Sequence, residues 1–329
     1  MWELTADNAL PYLRSVGLLR PGEDAGIEVL GGGVSNLVLG VVQRDSAFVV
    51  KQSRPKLRTR EDWFSDIERI YREQEVMEML QPLLPPGSIP AVIFSDRENY
   101  LFAMEHAPAD SRVWKSMLLA GEIDPEVGRQ AGQLLGRMHE AAAGKAVFAE
   151  RLRDRRIFHQ LRIEPFYERI RVRHPDLKEA IDPLIFQLLH HGETLCHGDF
   201  SPKNLLSSGR GLMLVDHETA HYGEPAMDLG FFFSHLLLKG IRAGDWRTFS
   251  GLILSCWTGY VQAIRHTSAE ATLARSFGHM GVCLLTRVDG TSPVDYLTDD
   301  RQRATARQLG RGLLLQPPRG WEDLLGRIQ

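Results

Sequence analysis

Cysteine is scarce in this chain, and its scarcity limits the chemistry that the sequence could support. The three cysteines, Cys196, Cys256 and Cys283, are odd in number and widely spaced among 329 residues. This pattern is not that of a disulfide framework, and it lacks the paired spacing of a structural zinc site. It favours a reducing compartment, so we expect a cytoplasmic protein.

Long apolar runs and a strong excess of one charge are also missing. The formal net charge is -3, so no global field attracts nucleic acid or an anionic membrane surface. The most apolar stretch, Phe231 to Leu238, contains His235 and is followed by Lys239. It falls well short of the ~18 apolar residues that a membrane span needs. We therefore expect no nucleic-acid partner and no membrane partner.

Two kinds of periodicity divide the sequence. Alternating apolar residues predict strands over 26–30, 37–42, 47–52, 90–95 and 100–105, with helices over 8–18 and 62–80. From there the pattern is helical, over 111–120, 125–143, 147–159, 162–173 and 176–191. We predict a bilobal α+β chain: a small N-terminal lobe, residues 1–105, with a five-stranded antiparallel sheet, and a larger, mainly helical C-terminal lobe, residues 106–329.

The motif from Cys196 to Asn204, with the sequence CHGDFSPKN, is the strongest functional signal. An acid five residues before an amide, followed by Asp216 at the end of an apolar strand, matches what phosphoryl transfer from ATP requires. We predict that Asp199 orients the acceptor hydroxyl and that Asn204 and Asp216 hold Mg²⁺. Glu218 either binds metal or acceptor, or fixes the loop.

Two features of the strand-rich region could bind the nucleotide. A glycine loop, Gly31 to Asn36, joins the first two strands. Its backbone amides could bend over the phosphates, although three glycines suit an ordinary hairpin equally well. The candidate residues in this loop are Gly32, Gly33, Ser35 and Asn36.

Lys51 follows four buried-looking residues in the third strand, at a position where burial without an acidic partner would be costly. The next helix offers Glu73 as the first candidate partner and Glu75 as the second.

In order and approximate spacing, these motifs resemble those of the aminoglycoside phosphotransferase and choline kinase superfamily, where His-Gly-Asp replaces the His-Arg-Asp of protein kinases. The resemblance implies a protein-kinase-like fold, with ATP and Mg²⁺ as cofactors and a hydroxylated small molecule as acceptor. It also implies that Lys51 contacts the α- and β-phosphates, that the backbone around Glu105 and Ala107 meets the adenine edge, and that Asp228 braces the catalytic loop.

Within this superfamily, three segments look like those of the methylthioribose kinase family: residues 50–58, 216–223 and 287–290. Two positions depart from that family's pattern, because the chain keeps Asn204 and has Arg287-Val288 where we associate paired arginines with sugar binding. Arg287 either binds the acceptor or is a surface arginine paired with Asp289 or Asp295.

The predicted function is therefore that of an ATP-dependent phosphotransferase acting on a hydroxyl of a small metabolite. The expected acceptor is a sugar or amino sugar derivative such as a methylthioribose-like compound. The alternatives are an aminoglycoside antibiotic phosphotransferase and a catalytically inactive nucleotide-binding protein with a kinase-like fold. The oligomeric state, monomer or homodimer, stays open.

Overall fold

The chain divides into two compact units, Met1–Ala109 and Asp110–Gln329. The computed structural model describes residues 2–31, 36–55 and 65–328. We refer to the two parts as the N-terminal unit and the C-terminal unit. In the described part of the chain, no helix combines the length and the apolar character that crossing a membrane requires.

The N-terminal unit is built on one antiparallel sheet. Its elements are α1 (Ala6–Ser15), β1 (Gly26–Val29), β2 (Asn36–Val42), β3 (Ala47–Ser53), α2 (Arg69–Leu80), β4 (Val92–Asp96) and β5 (Leu101–Glu105). The five strands lie in the order β1-β2-β3-β5-β4, which confirms the predicted sheet.

The two faces of this sheet have separate cores. Val50 of β3 packs in a cluster that includes α1, whereas Val49 packs with Ile70 and Met77 of α2. Because side chains alternate between faces along a strand, Lys51 shares the face of Val49. The strand therefore directs Lys51 to the side that carries α2.

The C-terminal unit is mainly helical. Its strands are β6 (Arg112–Val113), β7 (Thr194–Cys196), β8 (Leu205–Ser208), β9 (Gly211–Leu214) and β10 (His221–Gly223). Its α-helices are α3 (Trp114–Leu119), α4 (Pro125–Ala142), α5 (Ala146–Arg151), α6 (Arg156–Phe158), α7 (Arg169–Arg173), α8 (Lys178–His190), α9 (Pro225–Ala243), α10 (Trp246–Ala263), α11 (Ala269–Asp289), α12 (Asp300–Leu315) and α13 (Trp321–Ile328).

One helical prediction is wrong. The sequence predicts separate helices over 147–159 and 162–173, but α5 ends at Arg151, and the chain is then continuously helical from Arg156 to Arg173. Its middle, His159–Glu168, is a π-helix that contains Pro165. Proline has no amide hydrogen, and its ring clashes with the carbonyl four residues earlier in an α-helix, so the wider turn accommodates it.

Helix α9 is enclosed by the rest of the C-terminal unit. Every residue from Pro225 to Ile241 is buried. Helices α10 and α11 pack against it. The helix therefore carries two charged side chains, Asp228 and Lys239, into the interior, where a charge is costly unless it is paired.

Candidate active site

Asp228 fixes the start of the catalytic loop, the segment from His197 to Asn204. From the first turn of α9, its carboxylate accepts hydrogen bonds from the backbone amides of His197, at 2.6 Å, and Gly198, at 2.8 Å. His139 of α4 lies 3.3 Å away through Nε2. Burial alone would raise the pKa of Asp228, but His139 and the backbone donors offset it and hold the pKa below 3.8. The predicted bracing contact is confirmed.

Gly198 occupies a position that only glycine tolerates well. Its φ is +75°, and a Cβ there would lie 2.8 Å from the carbonyl oxygen of Thr219. The Thr219 hydroxyl also donates to the carbonyl of His197 at 2.8 Å. The loop before Asp199 is thus packed directly against the segment that follows Asp216.

His197 links the same two segments through its ring. The amide of Asp199 donates to Nδ1 at 3.2 Å, so the ring proton lies on Nε2, which is 3.3 Å from the carbonyl oxygen of Val215. Burial lowers the pKa of His197 and keeps the ring neutral. His197 is therefore a positioning residue, a role that the sequence motif alone did not reveal.

The two carboxylate oxygens of Asp199 have different surroundings. Oδ2 accepts from Arg162 at 2.9 Å, Lys203 at 2.9 Å and the Asn204 side chain at 3.0 Å. Oδ1 is buried and has no hydrogen-bond partner among the described residues. Burial would raise the pKa of Asp199, but Arg162 and Lys203 outweigh it and lower the pKa below 3.8. Asp199 is thus held as an anion, and one of its oxygens has no hydrogen-bond donor among the described residues.

Arg162 is a site residue that sequence reasoning missed. From the π-helical stretch, its Nε donates to the carbonyl of Gly198 at 2.7 Å while Nη2 contacts Asp199. Its guanidinium lies 5.6 Å from the ring centroids of both Phe166 and Phe231. No motif marks it, because an arginine on a predicted amphipathic helix ordinarily indicates a solvated face.

A hairpin brings Asn204 close to Asp216. Asn204 precedes β8, Asp216 follows β9, and the amide of Val215 donates to the carbonyl of Asn204 at 3.0 Å. Asp216 has a φ of +71°, which is unusual for a residue other than glycine. Glu218, also predicted as a ligand, is buried two residues further on. Amide and carboxylate oxygens are the donors that Mg²⁺ prefers, so this set fits the ion.

The N-terminal unit pairs Lys51 with Glu73. The distance from Nζ to Oε2 is 2.6 Å, and both side chains are buried, as the cost of an unpaired lysine requires. The structure thus selects Glu73 over Glu75.

The remaining nucleotide-binding candidates lie on β2, on β5 and in the segment after β5. Asn36 is buried at the start of β2, 3.4 Å from Arg69. The amide of Glu105 bonds to the carbonyl of Ala91, and the carbonyl oxygen of Ala107 lies 2.6 Å from Nδ1 of His106. Gly32, Gly33 and Ser35 lie outside the described residues.

Arg287 makes neither of the ion pairs that the sequence suggested. It donates to the Ser292 hydroxyl at 2.7 Å and lies 3.4 Å from Nε2 of His235.

The two predicted partners of Arg287 have other partners. Arg287 and Asp289 do not pair, because residues two apart on a helix point to different faces. Asp289 binds Arg307 at 2.7 Å. Asp295 lies 3.8 Å from Lys115. The surface ion-pair alternative is therefore wrong.

The sequence of this chain also matches the model of a known protein family. The model of the phosphotransferase enzyme family matches residues 26–247, which is more than half of the chain. The chain belongs to that family. It is an ATP-dependent small-molecule kinase.

Two curated relatives extend over nearly the whole sequence. The chain is 24% identical to methylthioribose kinase of Bacillus velezensis, covering 93% of this chain and 90% of the relative. It is 25% identical to methylthioribose kinase of Klebsiella pneumoniae, covering 99% and 98%.

Solved structures support the fold. Amicoumacin kinase in complex with AMP-PNP, Ca²⁺ and amicoumacin matches with a TM-score of 0.61 at 14% identity, covering 96% of each chain. With the five-stranded sheet and the helical remainder, this match confirms the predicted α+β, protein-kinase-like fold.

Proposed function

We propose that this kinase transfers the γ-phosphoryl group of ATP to a hydroxyl of a small metabolite of the sugar or amino sugar type. The observation that carries the proposal is the asymmetry of Asp199. Three side chains hold Oδ2, whereas the buried Oδ1 lacks a partner among the described residues. A hydroxyl that donates to Oδ1 would be oriented for attack on a phosphoryl group.

The lowered pKa of Asp199 suits orientation better than proton abstraction. A carboxylate held ionised by Arg162 and Lys203 is a weak base. Phosphoryl transfer passes through a loose transition state in which positioning and charge stabilisation supply most of the catalysis. In this proposal Asp199 aligns the hydroxyl, and Lys203 also offers a cation near the transferred group.

The nucleotide roles follow from the chemistry of each group. Asn204 and Asp216 would hold Mg²⁺, with Glu218 as a further ligand, and the ion would neutralise charge on the phosphates. Lys51, oriented by Glu73, would contact the α- and β-phosphates. The other nucleotide contacts would come from the glycine loop (Gly32, Gly33, Ser35 and Asn36) and from the backbone at Glu105 and Ala107.

The acceptor can be found by a coupled ADP-release screen. The panel contains methylthioribose, other pentoses and hexoses, amino sugars, choline, homoserine and an aminoglycoside, each with ATP and Mg²⁺. We expect turnover with a polyhydroxylated compound of the sugar class. Turnover restricted to the aminoglycoside would contradict the sugar proposal, and no ADP release with any acceptor would contradict the kinase proposal.

Asp199→Asn tests the central role. The amide keeps the shape of the side chain but removes the anion, so we expect turnover to fall ~100-fold or more, while ATP affinity and the far-UV spectrum stay unchanged. Asp45→Asn, in an exposed turn between β2 and β3, is the matched control. Turnover within a few-fold of the wild type would remove Asp199 from the mechanism.

A further inference from the structure

Three cations of the C-terminal unit form a cluster without a matching set of anions. The basic cluster consists of Lys115, Lys239 and Arg287. Lys239, on α9, is 2% exposed, and its ammonium donates to a backbone carbonyl, that of His235, at 3.1 Å. No described carboxylate lies within ion-pair distance of Lys239 or of Arg287. A buried ammonium in that state is costly.

The ring of Tyr296 contacts two members of the cluster. The ammonium of Lys239 lies 5.3 Å from the centroid of the Tyr296 ring, and that of Lys115 lies 5.6 Å from it. Tyr296 Oη is buried and has no hydrogen-bond partner among the described residues. Asp295 is a poor counterion for Lys115, because its side chain is 85% exposed and 3.8 Å away. Both ammonium groups therefore lie within cation–π distance of one tyrosine ring, whose hydroxyl makes no hydrogen bond among the described residues.

Arg287 completes the cluster from α11. Its guanidinium contacts Nε2 of His235 at 3.4 Å, one helical turn before Lys239. The contact makes Nε2 an acceptor, so His235 adds no positive charge of its own. Burial, followed by Arg287, Lys239, Lys203 and Lys115, lowers the pKa of His235 well below 6.5. Arg287 Nε is buried and lacks a partner among the described residues.

The basic cluster is connected to the catalytic loop at two points. Arg287 lies over the same two rings, Phe166 and Phe231, at 5.1 and 5.6 Å, that Arg162 contacts while it binds Asp199. On the other side, the amide of Lys115 donates to the carbonyl of Pro202 at 2.8 Å. The cluster therefore borders the loop that would orient the acceptor hydroxyl.

We propose that the basic cluster binds an anionic group, a carboxylate or a phosphate ester, carried by the acceptor. This inference rests on the proposed function and narrows its substrate class. Lys115 has a side chain that is 35% exposed, so the cluster is open to solvent at one edge. An oxyanion there would take donors from Lys115, Lys239 and Tyr296 and would neutralise the excess charge. A polycationic acceptor would be repelled.

The first test measures anion binding without catalysis. Calorimetry titrates inorganic phosphate into the whole chain with AMP-PNP and Mg²⁺ present, so that the nucleotide phosphates occupy their own positions. We expect Lys239→Met and Arg287→Gln each to weaken phosphate binding by about tenfold or more, as for loss of a charge-assisted hydrogen bond. Lys178→Met and Arg247→Gln remove equal charges from exposed positions and should leave the affinity unchanged.

Thermal unfolding separates this role from a structural one. Because Lys239 is buried without a carboxylate, Lys239→Met should raise the Tm while it weakens phosphate binding. A lowered Tm together with unchanged phosphate affinity would make Lys239 a structural residue and would overturn the proposal. A lowered Tm with unchanged phosphate affinity for Arg287→Gln would show that Arg287, the residue contributed by α11, does not bind the anion.

The second test compares acceptors in matched pairs. ADP release is measured for ribose against ribose 5-phosphate and for glucose against glucuronate and glucose 6-phosphate. We expect the anionic member to have the larger kcat/KM, and Lys239→Met to reduce that preference by about tenfold. Glucuronate and the phosphate esters separate carboxylate from phosphate recognition. Turnover of neutral acceptors alone, unaffected by Lys239→Met, would overturn the anion proposal and leave the kinase proposal intact.

Discussion

Lys51 and Lys239 are two buried lysines whose surroundings differ in one respect. Their residues are 4% and 2% exposed, so both ammonium groups have lost most of their hydration. Lys51, on the sheet of the N-terminal unit, has Glu73 at 2.6 Å. Lys239, on α9, has a backbone carbonyl at 3.1 Å and two further cations as neighbours. The fold itself supplies a carboxylate counterion for the first lysine and, among the described residues, none for the second.

This difference indicates how the cost of each buried charge is met. A paired buried ion contributes little net stability, but removing one partner is strongly destabilising. An unpaired buried cation lowers stability and shifts its own pKa instead. Burial, then Lys115 and Arg287, lowers the pKa of Lys239 to about 7. Such a group persists in a fold at a cost, which a function at that position would explain.

Breaking the Lys51 pair should have the largest effect on stability. Lys51→Met removes the 2.6 Å partner of buried Glu73, so we expect the free energy of unfolding to fall by about 3–5 kcal/mol. Urea unfolding of the wild type and the variant measures this loss. The double variant Lys51→Met/Glu73→Leu removes both charges and should recover most of it. A single variant as stable as the wild type would contradict the view that Glu73 depends on Lys51.

For Lys239 we expect the opposite effect: its replacement by methionine should raise the free energy of unfolding. Its folded pKa of about 7 lies below the 10.5 of the unfolded chain, so the unfolded state binds the extra proton between these values. The penalty is complete below pH 7 and disappears as the pH rises to 10.5. The groups that face Lys239 are Lys115, Arg287, Cys283 and Tyr296.

The difference in stability between Lys239→Met and the wild type isolates the titration of Lys239 from that of every other group. The stability of Lys239→Met relative to the wild type should be greatest below pH 7 and should shrink by at most about 1.4 kcal/mol per pH unit up to pH 10.5. Urea unfolding at several pH values measures it. A difference that stays constant with pH would show that Lys239 does not titrate in this window.

The comparison also shows what the sequence could predict. Lys51 and Glu73 lie on a strand and on the following helix, so the alternation of β3 and the apolar stripe of α2 were enough to propose the pair. Asp199, Asn204, Asp216 and Asp228 belong to motifs with fixed spacing. The contact between Asn204 and Asp199 is local, and the bracing contact of Asp228 was expected from the order of the motifs and from its place at the start of a helix.

Long-range contacts were beyond the reach of the sequence. Arg162 contacts Asp199 from a π-helical stretch, whereas the periodicity indicated ordinary helices. Lys239 was visible only as the residue that ends an apolar run. Its position beside Lys115 and Arg287 depends on how α9 packs against α3 and α11, and no local pattern encodes that packing.

The smallest expected effect is that of Lys115→Met on the pKa of Lys239, and it separates the contribution of burial from that of repulsion by neighbouring cations. Burial is the main cause of its lowered pKa, and the half-exposed Lys115 is the next cause. Lys115→Met should therefore move the titration of Lys239 toward 10.5 by a fraction of a unit, because solvent screens a partly exposed charge. The measurement is the pH at which the stability difference from the double variant Lys115→Met/Lys239→Met begins to shrink. A shift of a unit or more would make repulsion within the basic cluster the main cause. In that case a bound anion would remove most of the stability cost of the buried Lys239 ammonium. Lys239 would then differ from Lys51 only in lacking an anionic partner.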